Sequence, residues 1–148
     1  MKRQAGSAAV ALLLCLAAAQ LVRPTIGNPP VNPARSLWND SRVDPRVARV
    51  LKRACANCHS HETEWPWYSQ VSPVSWMLAR DVRRARAKLN FSESSGARPN
   101  QLEDIADAID KHEMPPASYG MMHPESRLSK ADRELLDAWA DGKLAQFP

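Results

Sequence analysis

Residues 55–59 read CANCH. Two cysteines three apart, followed at once by a histidine, leave the chain few choices, because the segment must serve whatever the thiols hold. What precedes the motif fixes its setting. Asp44 followed by Pro45 is an N-cap with proline at the first helical position. Val47, Val50, Leu51 and Ala54 then recur at i, i+3, i+4 and i+7, the period of a one-sided helix. CANCH therefore stands at the end of an amphipathic helix, with no strand pattern before it.

Cysteine arithmetic depends on the first residues of the 148. Lys2 and Arg3 give a basic start, and Ala8 to Ala19 form an apolar run containing AVALLLCLAAA. The run is shorter than the roughly 20 residues of a membrane span. Ala17 and Ala19 supply a small-x-small cleavage pattern, so residues 1–19 read as a secretory signal peptide cut near Ala19–Gln20. An uncleaved leader that anchors the chain is the alternative. A lipidated Cys15 is a third, opposed by the bulky Leu14 before it. Without the leader no membrane-spanning domain is left, and the chain is expected to be periplasmic or otherwise exported.

The formal charge of +4 includes Lys2 and Arg3 and falls to about +2 without them. That is too little for the concentrated basic face of a nucleic-acid binder. The three cysteines become two, Cys55 and Cys58. One pair is no disulfide framework. The pair either closes on itself or holds something.

Residues 20–43 are rich in proline and lack a hydrophobic period, which reads as an extended linker. The domain is expected over 44–148, in about four helices. After the first, Ser72–Pro73 opens a second, reaching about Leu89, with Val74, Met77, Leu78, Val82 and Ala85 inward. Asn100 and Glu103 resemble a capping box for a third, with Leu102, Ile105, Ala106 and Ile109 inward, ended by Met114–Pro115–Pro116. Ser129 and Asp132 cap the last, with Leu135, Leu136 and Trp139 inward and Gly142 as its stop. The fold class is all-α, a small bundle of about four helices with long loops. Long loops at 59–71 and 113–128, and few phenylalanines, suggest chain wrapped around a large apolar cofactor.

A thioredoxin-like dithiol belongs after a strand in a βαβ unit, and none is visible. Zinc sites favour two separated ligand pairs, and His112 and His123 lie too far apart to complete one with Cys55, Cys58, His59 and His61. Covalent haem suits the order of residues. Two cysteines on one helical turn, about 5–6 Å apart, can each add to a vinyl group of one porphyrin edge, and the next residue, His59, is led to the iron. C-x-x-C-H is the attachment signature of c-type haem. One haem c per chain is expected. A distal ligand should come from far along the chain, and a methionine there raises the potential relative to a second histidine. Met114, fixed by the prolines of EMPP, is the leading candidate, followed by His123 and Met121, with Met122 and His112 behind them.

The stretches CANCHSHETEWPWYSQVSPVSWMLARDVRRARAKLNFSE and EMPPASYGMMHPESRLSKADRELLDAW resemble the bacterial haem-binding domain family of exported, single-haem c-type cytochromes. The resemblance spans about residues 45–141. It implies covalent haem at Cys55 and Cys58, iron ligation by His59, and Met114 of the M-P-P motif as distal ligand. After Asn90-Phe91-Ser92 the family often carries a tryptophan, where this chain continues ESSGARPN.

Trp65, Trp67, Tyr68 and Trp76 are expected either to wall the haem crevice or to pack the core beside it, and Tyr119 to do the same from the distal side. The basic stretch from Arg80 to Lys88 reads as a solvated helix face, or as a guide for an acidic partner. Electron transfer between redox partner proteins is the expected function, a carrier more than an enzyme. The alternatives are a haem peroxidase-type or oxidoreductase subunit, and a haem-based ligand sensor.

Overall fold

The computed structural model describes residues 2–93, 99–142 and 144, with the side chains of 2–5 and 99–100 outside that description. All its regular structure is helical, with no strand among the described residues. Seven α-helices follow in order: α1 (Lys2–Ala19), α2 (Pro45–Ala54), α3 (Ala56–His59), α4 (Val74–Lys88), α5 (Pro99–Asp110), α6 (Ala117–Met122) and α7 (Lys130–Ala140). The four expected helices correspond to α2, α4, α5 and α7. The others are α1, the CANCH turn itself and a short helix in the 113–128 loop.

The helix ends are set by local chemistry. Asp44 caps α2, its Oδ1 accepting from the Arg46 amide at 2.7 Å, with Pro45 at the first position. Ser129 and Asp132 close a reciprocal capping box on α7. Gly142, at φ +67°, turns the chain after it. At α4 the expectation shifts by one residue. The cap position is Pro73, and the Ser72 hydroxyl meets Ser75 Oγ at 3.1 Å instead of the helix backbone.

The end of α5 also differs from expectation. The helix stops at Asp110, ahead of the prolines. His112 adopts φ +56°, its amide donates to Ile109 O at 3.0 Å, and the Glu113 amide donates to Ala108 O at 2.9 Å. This is a Schellman motif with histidine where glycine is usual. The Met114 amide also reaches Ala108 O, at 3.1 Å, so the helix end holds Met114 in place. The expected Asn100 cap lies outside the described side chains.

The core joins Val47, Val50 and Leu51 of α2 to Ile105 and Ile109 of α5, Leu136 of α7, Phe91 and Leu37. At Leu51 and Leu136 the exposure is zero. The buried face of α4 is Ser75, Ala79 and Val82, while Val74 and Met77, expected inward, are exposed. Small residues at 75 and 79 let α4 lie close against the elements it packs on, α3 and the turn at Trp67–Gln70. That contact sets the rotation of the helix more strongly than its larger apolar residues do.

Segment 20–43 has no α-helix, yet it is fastened along the domain. Leu37 is buried and donates its amide to Phe91 O at 2.8 Å, and the Trp38 ring stands 5.3 Å from that of Phe91. Upstream, Arg86 donates to Gly27 O, Asn28 Oδ1, Ser60 O and Thr63 Oγ1. The core thus begins ahead of residue 44, with two 3-10 turns, Pro33–Arg35 and Leu37–Asn39, carrying the chain into it.

Candidate haem site

The CANCH motif folds as one tight turn. The amides of Cys58 and His59 both donate to Cys55 O, at 3.2 and 3.0 Å, continuing α2 into α3. This carries His59 beneath the core, where its ring lies 6.1 Å from Phe91. His59 Nδ1 sits 3.1 Å from Leu89 O. A carbonyl only accepts, so Nδ1 carries the proton, and Nε2 keeps a lone pair available to a metal. The Phe91 amide donates to His59 O at 2.8 Å and fixes the backbone too. Burial holds the imidazole below its ordinary pKa, favouring the neutral, ligating form.

Cys55, His59 and Met114 line one cleft, part of it open to solvent. Its walls are mainly apolar: Leu51, Leu89, Phe91, Ile105, Ile109 and Leu128. Burial pushes the Cys55 thiol up to about 12, and that of Cys58 upward as well. Neither is in a disulfide. Among the described residues no three His, Cys, Asp or Glu side chains cluster as a metal cage. One imidazole, one thioether and a thiol around an apolar slot are a donor set suited to a flat macrocyclic iron cofactor.

The other expected site residues fall elsewhere. Cys58 does not line the cleft. Trp65 borders a second depression, with Asn57, Tyr119 and His123. Trp67 is 79% exposed. Tyr68 directs its hydroxyl to His123 Nε2 at 3.1 Å, and Tyr119 stacks on the same imidazole at 4.4 Å. Tyr68 and Tyr119 thus pack on His123, and none of these aromatics lines the cleft. His123 is committed to Tyr68 and, through Nδ1, to Glu125 Oε1 at 3.1 Å. His61 is buried, its Nδ1 facing Pro30 O and its Nε2 facing Asn90 Nδ2. Met121 and Met122 are exposed on α6. The wall residues Leu51, Ile105 and Ile109 were legible as helix faces. Leu89 and Phe91 lie past the end of α4, where no period marks them.

Donor set and wall together define a small all-α protein built to hold haem. The chain matches the haem-binding domain family over residues 14–142 and belongs to it. That match takes in segment 20–43, in keeping with the lodging of Leu37 in the core. No curated protein and no solved structure matches the chain.

Proposed function

We propose that the chain is an exported c-type cytochrome, binding one haem through thioethers to Cys55 and Cys58 and carrying electrons between redox proteins. The observation that supports this most is the meeting of Cys55, His59 and Met114 on one apolar cleft. When bound, the haem supplies an iron that exchanges one electron.

The chain's own residues prepare that role. His59 offers Nε2, while its Nδ1–H on Leu89 O fixes the ring plane and makes the free nitrogen a stronger donor. Met114, held to Ala108 by its amide, offers a thioether 55 positions downstream. Leu51, Phe91 and Ile105 exclude water and lower the local dielectric. An iron held by both His59 and Met114 would favour electron transfer over ligand chemistry. Export belongs to the same reading, carried by the basic start and apolar run of α1 and the Ala17-x-Ala19 pattern.

The test is the optical spectrum of the exported protein, oxidised and reduced, with and without carbon monoxide. A low-spin iron indifferent to carbon monoxide is expected, with the colour retained after acidic acetone. A high-spin iron that takes up carbon monoxide readily favours a peroxidase-type or sensor role. Met114→Ala should convert the first behaviour into the second, and an unchanged oxidised spectrum in that variant would exclude Met114 as ligand.

A further inference from the structure

The outward face of α4 and the turn before it carry several exposed large apolar side chains. The 3-10 turn Trp67–Gln70 packs against α4. Around this junction Trp67 is 79% exposed and Met77 54%, with Val71, Val74 and Trp76 each near two-fifths. Large apolar side chains gathered in this way on a small domain mark an interaction surface.

The same helix continues as a row of cations. Met77, Arg80, Arg84 and Lys88 succeed one another at three- and four-residue steps, so they share a face, and Arg83 flanks them. All four cations are exposed. Arg80 pairs with Asp81 at 3.0 Å, and Arg83, Arg84 and Lys88 form no ion pair among the described residues. One end of the face is therefore apolar and aromatic, and the other is basic.

A third observation says what covers it. Helix α1 joins the domain at this place. The Gln20 side chain donates to Ser72 O and accepts from the Ser72 amide, both at 3.0 Å, and Trp76 Nε1 donates to Val22 O at 2.7 Å. The apolar residues of α1 are themselves exposed, Leu12, Leu13 and Leu14 by 60% or more. No helix among the described residues is long and apolar enough to cross a membrane. On the alternative in which the leader stays uncleaved, an apolar helix too short to span, leaving the domain beside exposed tryptophans and next to arginines that form no ion pair among the described residues, suits the boundary between lipid tails and headgroups.

We propose that this face, from Trp67 to Lys88, docks on an anionic lipid bilayer. Trp67, Val71, Val74 and Met77 enter the headgroup boundary, and Arg80, Arg83, Arg84 and Lys88 meet lipid phosphates. Lys88 also lines the haem cleft, so docking sets the cleft mouth near the membrane plane.

The test is flotation of the full chain with vesicles of phosphatidylcholine alone or mixed with phosphatidylglycerol, at low and high salt. The wild type should float with the mixed vesicles, and less at high salt. Arg83→Glu/Arg84→Glu should lower the partition coefficient at least fivefold, as each cation near such a surface contributes roughly that factor. Trp67→Ser/Met77→Ser should lower it on both vesicle types. These side chains lie on the surface, and the helical circular dichroism of both variants should match the wild type. A wild type that stays unbound to mixed vesicles overturns the proposal, as do variants that both float like wild type, since α1 alone then carries binding. If the wild type ignores vesicles while the charge variant alone loses electron exchange with a soluble acidic redox protein, the face belongs to a protein partner and the membrane reading fails.

Discussion

Phe91 offers the sharpest test of how the site is supported. It is 2% exposed, its ring meets Trp38 at 5.3 Å and His59 at 6.1 Å, and it forms part of the cleft wall. Replacing a fully buried phenylalanine by alanine removes transfer free energy and leaves a cavity, together about 3–5 kcal/mol. Against a total of about 5–15 kcal/mol for a domain, that is a large fraction. It should lower the melting temperature by roughly 10–20 °C in a domain of this size. The backbone bonds from the Phe91 amide to His59 O and from the Leu37 amide to Phe91 O do not involve the side chain. The variant should therefore still fold, with a lower urea midpoint and an unchanged slope. A double-mutant cycle with Trp38→Ala should return a coupling of about 0.5–1.5 kcal/mol for the ring pair. Both proteins are to be compared in the same haem state, since bound cofactor adds its own stabilisation. A loss below about 1 kcal/mol, or a coupling of zero, would refute the account of Phe91 as the packing centre between the N-terminal segment and the haem turn.

Further predictions concern helix ends and charge. Asp44→Ala should cost about 1 kcal/mol by removing the α2 cap, read from chemical denaturation. The Arg46 side chain holds the Asp44 carboxyl below the usual carboxylate range. Its contribution is therefore present above the ordinary carboxylate pKa and lost as pH falls through the lowered one. Asp44→Asn should keep the cap and flatten that acid limb, and an unchanged pH profile would count against the assignment. His112→Gly should stabilise the chain by about 0.5–1 kcal/mol, because φ +56° costs glycine nothing. A lower melting temperature in that variant would contradict the Schellman reading.

Several parts of this architecture could be read directly from the residues. The order of residues in CANCH led to the haem-binding reading that the family match supports, and the caps at Asp44–Pro45 and Ser129–Asp132 placed α2 and α7 closely, since a cap is a local device. Met114 was singled out by its distance along the chain and the prolines after it, and it lines the same cleft as His59. Other parts were not legible, for identifiable reasons. The partner that orients His59 is the carbonyl of Leu89, and a backbone acceptor leaves no trace in residue type. Leu37 and Trp38 sit in 3-10 turns too short to show a period, so core residues looked like linker. On α4, close packing through Ser75 and Ala79 outweighed the larger Val74 and Met77. Trp65, Trp67 and Tyr68 follow the haem turn in sequence, but the 3-10 turn at Trp67–Gln70 carries them toward His123 and the surface.

The fastening of the N-terminal segment bears on the order in which the molecule can be completed. Gly27, Asn28 and Leu37 leave the ribosome before the CANCH turn, yet the groups that hold them, the Arg86 guanidinium and the Phe91 carbonyl, are made after it. Contacts of such long sequence separation form late, because loop closure must precede them. A nascent chain that has just exposed both thiols has no lodging for its own first forty residues. Any truncation ending between the turn and Phe91 leaves that segment without a seat.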